Sequence, residues 1–150
     1  MRYDKQQLAA VARGEPCPPP LPKRKRSQEE SQMQRALMKW WHLQCRVFQV
    51  PELLLFSIPN GGQRSAITGA ILKAEGARKG APDLMLAVAG GHGGVEHHDP
   101  HGLFLELKRR DGVLSPEQEV FHELLRAQGY KVVVVWSLTE AINEITAYLQ

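Results

Sequence analysis

The residues best suited to chemistry in this 150-residue chain fall in two short stretches, Pro82-Asp83 and Glu106-Leu107-Lys108. On a strand, alternate side chains share a face, so Glu106 and Lys108 point together while Leu103, Leu105 and Leu107 point the other way. An acid and a lysine on one face of an otherwise apolar strand are unfavourable unless they pair or serve a reaction. Asp83, at the start of the preceding apolar run, offers a second carboxylate. Two carboxylates with a backbone carbonyl, here that of Leu107, are hard oxygen ligands suited to Mg²⁺, which retains waters for catalysis. Such an ion can activate water and stabilise charge growing on a phosphate. A nearby lysine can position the nucleophile or stabilise the same charge. The plainer reading is an edge-strand Glu106–Lys108 ion pair with Asp83 as a turn residue.

The elements that must position these groups are legible in outline. Residues 27–48 read as a helix, with Met33, Leu37, Trp40, Trp41 and Cys45 recurring at steps of three and four. Residues 53–58 suit a buried strand, stopped by Pro59-Asn60-Gly61-Gly62. A second helix is expected over 64–75, closed by Gly76 in a left-handed conformation. Strands follow over 84–89 and 103–108, joined by a Gly/His-rich connection. The stretch 115–128 carries helix-start signals: Ser115 as cap, Pro116 in the first turn, and Gln118 completing an S-x-x-Q capping box. A valine-rich strand over 131–136 and an amphipathic helix over 138–149 close the chain. The order implies an α/β fold, a small mixed sheet flanked by helices.

Composition bounds the rest. With 43% hydrophobic and 23% charged residues, the chain is globular and large enough for one core. Two cysteines, Cys17 and Cys45, build neither a disulfide scaffold nor a zinc site and suit a reducing compartment. No apolar run approaches a membrane span and no signal-peptide pattern opens the chain. The net charge of +3 is uneven, because residues 1–26 hold seven Lys/Arg against Asp4 and Glu15. That segment is therefore +5 and the remainder −2. Residues 1–27 read as a short helical piece and a proline-rich linker, distinct from a domain over 28–150. Its Lys23-Arg24-Lys25-Arg26 run suits either a localisation signal or a solvated arm touching phosphates.

Several ordered motifs together resemble the VRR-NUC family of the PD-(D/E)xK nuclease superfamily. They are Asn60-Gly61-Gly62-Gln63-Arg64-Ser65, Leu72-Lys73-Ala74-Glu75-Gly76 and Lys79-Gly80-Ala81-Pro82-Asp83-Leu84. Gly102-Leu103-Phe104-Leu105-Glu106-Leu107-Lys108, Ser115-Pro116-Glu117-Gln118 and Gly129-Tyr130 before the valine strand continue the match. The resemblance spans about residues 29–149 and implies a restriction-endonuclease-like core. It implies a metal-dependent DNA endonuclease, with Asp83 and Glu106 as metal ligands and Lys108 as the catalytic lysine. The family also places an acid on the first core helix, a role for which Glu29 and Glu30 compete. Glu30 is preferred: it shares a helical stripe with Leu37 and Trp41 and precedes Gln34 by four residues, as in the family motif. Gln118 has two readings, one as a helix cap and one as a site residue orienting Lys108 or a phosphate.

Arg64, Lys73, Arg78, Lys79, Arg109 and Arg110 bracket these acids and read as phosphate contacts, with Gly61, Gly62 and Gly80 allowing close approach of a DNA backbone. Asn60 suits its own turn better than DNA. His92, His97, His98 and His101 fit no familiar zinc spacing, and Trp40 and Trp41 read as core or interface. The expectation is a Mg²⁺- or Mn²⁺-dependent endonuclease acting on branched DNA such as a Holliday junction. It would be cytoplasmic in a bacterial or phage-infected cell, homodimeric, and open to a replication or repair partner. The alternative is a nucleic-acid-binding or assembly module with the same fold and no turnover.

Overall fold

The computed structural model describes residues 28–59, 71–90 and 99–150. The expected arm over 1–27, the turn at 60–65 with Arg64, and His92, His97 and His98 lie outside the described residues. Helix α1 (Gln28–Gln44) is followed by a 3₁₀ turn (Glu52–Leu54), β1 (Leu55–Ser57), β2 (Leu84–Leu86) and β3 (Leu103–Leu107). Then come α2 (Pro116–Ala127), β4 (Lys131–Val135) and α3 (Leu138–Leu149). The four strands lie in chain order, β1 and β2 antiparallel, β2 and β3 antiparallel, β3 and β4 parallel. This is the mixed sheet the sequence implies, with α2 as the crossover its parallel pair requires.

β3 is an inner strand buried along its whole length, so the edge-strand reading of Glu106 and Lys108 does not hold. Its odd positions, Leu103, Leu105 and Leu107, join Leu37, Trp41 and Ile145 in the main core beneath α1 and α3. Leu84 and Leu86 stand opposite Leu105 and Leu103 and complete that layer. The even positions, Phe104 and Glu106, therefore face the opposite side of the sheet. There Glu106 meets Gln118 and His122 of α2.

Two local differences from expectation have physical causes. The apolar run at 53–58 begins as a 3₁₀ turn, because Leu54 N–H donates to Pro51 O at 3.1 Å and the Trp41 indole donates to Glu52 O at 2.8 Å. Leu53, in that turn, is 86% exposed; a short apolar run does not by itself distinguish a strand from a turn. The sequence assigns Gly80 to leaving room for DNA. Instead it has φ +87°, and a Cβ there would fall 2.4 Å from Glu117 O, so its close approach is to the start of α2. Gly76, with φ +101°, closes the helical residues 71–74 in the left-handed conformation anticipated. Among the described residues no helix is long and apolar enough to cross a membrane.

Tyr148 ties α3 to both stems of the Gly/His-rich connection, its hydroxyl donating to Val88 O at 2.7 Å and Pro100 O at 3.2 Å. Burial pushes its phenol up to about 12, with Asp99 adding to the shift and the Gly90 backbone opposing it. Because the folded-state value lies above the unfolded one, stability from this group is present below about pH 10. It is lost as pH rises toward 12. Tyr148→Phe is expected to lose about 1–2 kcal/mol at neutral pH. It should also unfold with a shallower alkaline dependence than wild type, as read by urea titrations at stepped pH.

Candidate active site

The site is built around the end of β3, and its first constraint is burial. The Glu106 side chain is 3% exposed and the Lys108 side chain 11%, with Lys108 Nζ 2.8 Å from Glu106 Oε1. Backbone alternation brings them to one face, and the Lys108 N–H donates to Val135 O at 2.9 Å, extending the β3–β4 ladder one residue further. A charge pair this dry is held together by its mutual attraction and by additional hydrogen bonds.

Gln118 supplies those bonds. Its Nε2 donates to Glu106 Oε1, and its Oε1 accepts from Lys108 Nζ at 2.9 Å. The same Oε1 also accepts from Ser115 N–H at 2.9 Å, while Gln118 N–H donates to Ser115 Oγ at 3.3 Å. The capping box and the contact with the acid–lysine pair therefore coexist, because an amide oxygen has two lone pairs. The two readings of Gln118 are one arrangement.

Asp83 lies just before β2, with its backbone fixed on both sides: Asp83 N–H donates to Leu105 O at 3.1 Å, and Ile58 N–H donates to Asp83 O at 2.8 Å. Its Oδ2 accepts from Leu107 N–H at 2.8 Å. Extending the β2–β3 register by one residue sets Asp83 opposite Glu106. From α1, Glu30 Oε1 accepts from Arg109 N–H at 3.2 Å, whereas Glu29 is exposed. Glu30 is thus the helix acid that reaches the end of β3. Carboxylates from α1, the β2 entry and β3 converge on residues 106–109. Among the described residues, however, no three His, Cys, Asp or Glu side chains form a group that could hold a metal ion.

The basic residues are more scattered. Lys73, Arg78, Lys79, Arg109 and Arg110 are exposed. Lys79 is ion-paired with Glu117, so it anchors the segment before Asp83 to the first turn of α2. Arg78 borders an apolar cleft of about 500 Å³ that runs past Pro82, Phe104 and Phe121. Trp41 is fully buried and stacks on Phe48 at 6.3 Å, a core role, and His101 packs edge-on against Tyr130 at 5.6 Å.

Sequence reasoning missed His122. It is fully buried, with Nε2 3.7 Å from Glu106 Oε2. The available signal was its spacing: His122 follows Gln118 by four residues and so projects from the same face of α2.

An inner-strand acid–lysine pair, carried on a four-stranded mixed sheet with flanking helices, is the frame of a nuclease-like α/β core. The VRR-NUC domain family matches residues 28–137. A solved structure described as a VRR_NUC domain protein shares the fold with a TM-score of 0.64 and 25% identity, over 82% of this chain and 89% of that one. No curated protein matches the chain. The chain belongs to the VRR-NUC domain family, a nuclease-type family.

Removing one partner of the buried pair should reveal its dryness. Lys108→Met leaves Glu106 charged and unpaired, and should cost about 3 kcal/mol in urea unfolding. Adding Glu106→Gln to that variant should recover most of the loss, giving a coupling of at least about 1 kcal/mol in the double-mutant cycle.

Proposed function

We propose that this protein is a Mg²⁺- or Mn²⁺-dependent endodeoxyribonuclease that hydrolyses phosphodiester bonds, with preference for branched DNA such as a four-way junction. The observation that carries this reading is the convergence of Glu30, Asp83 and Glu106 on the four residues that also present Lys108. Asp83, Glu106 and the Leu107 carbonyl would hold the ion, with Glu30 supporting it or its water. The donor set suits a hard cation that takes one or two carboxylates and keeps its waters, so a cage of three side chains is not needed. Glu106 Oε2 has no hydrogen-bond partner among the described residues, and its two lone pairs let it take one neighbouring donor and still ligate an ion. When bound, the ion would supply an activated water and stabilise charge on the phosphate.

The chain's own residues do the rest. Lys108, held by Gln118 and Glu106, provides a positive charge close to the acids, where it can orient the attacking water or meet the phosphate. Gln118 keeps that ammonium aimed by tying it to the start of α2. Arg64, Lys73, Arg78, Arg109 and Arg110 would contact the DNA backbone, and the +5 segment over residues 1–26 would add salt-sensitive attraction to phosphate. Two copies related by a two-fold axis would direct two such sites at opposed strands of a junction. A cytoplasmic setting, with a replication or repair protein as partner, belongs to the same reading.

The test is cleavage of a labelled four-way junction and a matched linear duplex with Mg²⁺ or Mn²⁺. Cleavage should favour the junction, stop with EDTA, and fall at least about 100-fold in Asp83→Ala and Lys108→Ala. Undiminished cleavage by either variant would sink the mechanism, and binding without cleavage by the intact protein under both metals would identify a non-catalytic module. Deleting residues 1–26 should weaken DNA binding at low salt more than it slows single-turnover cleavage at saturating protein. Reduced cleavage with unchanged affinity would contradict that division.

A further inference from the structure

Glu106 is gripped unevenly by the side chains already described. Its Oε1 accepts from both Lys108 Nζ and Gln118 Nε2, while its Oε2 has no hydrogen-bond partner among the described residues. Facing Oε2 at 3.7 Å is His122 Nε2, on a fully buried ring whose two nitrogens also lack partners. Leaving a buried donor and a buried carboxylate oxygen unpaired is costly, and here the two unpaired atoms face each other. A closing movement of about 0.5–1 Å brings them to hydrogen-bond distance.

We propose that His122 is a positioning residue for Glu106. It donates Nε2–H to Oε2 and so fixes the carboxylate opposite the Lys108 and Gln118 contacts. This rests on the reading of Glu106 as a metal ligand.

The geometry selects the tautomer. With the proton on Nδ1, the Nε2 lone pair would point at a carboxylate lone pair; with it on Nε2, the contact is attractive. The consequence is mechanical. A carboxylate held through one oxygen can pivot about that oxygen, whereas one held through both cannot. The two residues of α2 that face Glu106 are one helical turn apart, so a single rigid element sets both ends of the group. Outer partners that orient a ligand in this way typically govern metal affinity by about 10–100-fold.

The test uses the full chain and Mn²⁺ alone, with free Mn²⁺ counted by its EPR signal in the absence of DNA. His122→Leu removes the donor, His122→Gln places an amide N–H near the position of Nε2, and His122→Asn places one nearer Nδ1. His122→Leu and His122→Asn should bind Mn²⁺ about tenfold more weakly, while His122→Gln stays within about threefold of wild type. Equal Mn²⁺ affinity in wild type and His122→Leu would overturn the proposal. So would a His122→Gln variant that melts like wild type yet binds as weakly as His122→Leu. Where the apolar variant does not fold, ¹⁵N NMR of the wild-type ring decides: a proton on Nε2 is expected, and one on Nδ1 refutes the assignment. Wild-type protein that neither binds Mn²⁺ nor cleaves DNA would refute the nuclease reading instead, and the tautomer would still decide what His122 does for Glu106.

Discussion

A buried carboxylate paired with a largely covered ammonium at the end of an inner strand is the constraint to which the rest of this structure answers. Glu106 and Lys108 cannot share one face of β3 without a polar lining above them, since each alone would be a desolvated charge. That lining comes from the crossover helix α2, whose first turn is fixed by Ser115 and Gln118. One amide side chain therefore closes the helix and completes the charge pair. A change that loosens the helix start also loosens the pair. The helix start and the charge pair are coupled through a single residue.

The opposite face of β3 explains why this arrangement can be rigid. Leu103, Leu105 and Leu107 are packed into the core formed by α1 and α3, so the strand cannot shift to relieve strain on its polar side. The neighbouring elements converge on it through backbone contacts. Asp83 takes the Leu107 N–H, Glu30 takes the Arg109 N–H, and Lys79 with Gly80 clamps the approach to Asp83 against α2. The carboxylates are thus oriented by main-chain donors at the end of the strand that carries Glu106 and just past it. A hydrated divalent cation would find oxygen ligands already facing one end of the sheet.

Much of this was legible in the sequence where a local rule decides the outcome. The Ser115-Pro116-Glu117-Gln118 start of α2, the Gly76 stop and the two-faced β3 each follow from short-range sterics or alternation. The family resemblance added the convergence of Asp83, Glu106 and Lys108, which spacing alone left open. Features settled by tertiary contact were not legible. The indole of Trp41 captures Glu52 and turns the start of an apparent strand into a 3₁₀ turn. Gly80 yields its space to Glu117 rather than to a ligand. Sequence leaves Gln118 between two roles because it does not show that one oxygen accepts two donors. His122 went unnoticed because a histidine on an apolar helix face reveals its partner only once the helix is docked.

The proposed divalent-cation site is formed by the carboxylates at the end of β3. The most direct measurement is anomalous X-ray scattering from crystals soaked in Mn²⁺. A peak is expected within ligand distance of Asp83, Glu106 and the Leu107 carbonyl, lost in Asp83→Ala. A peak at the histidines around residue 101 with none at the end of β3 would contradict it.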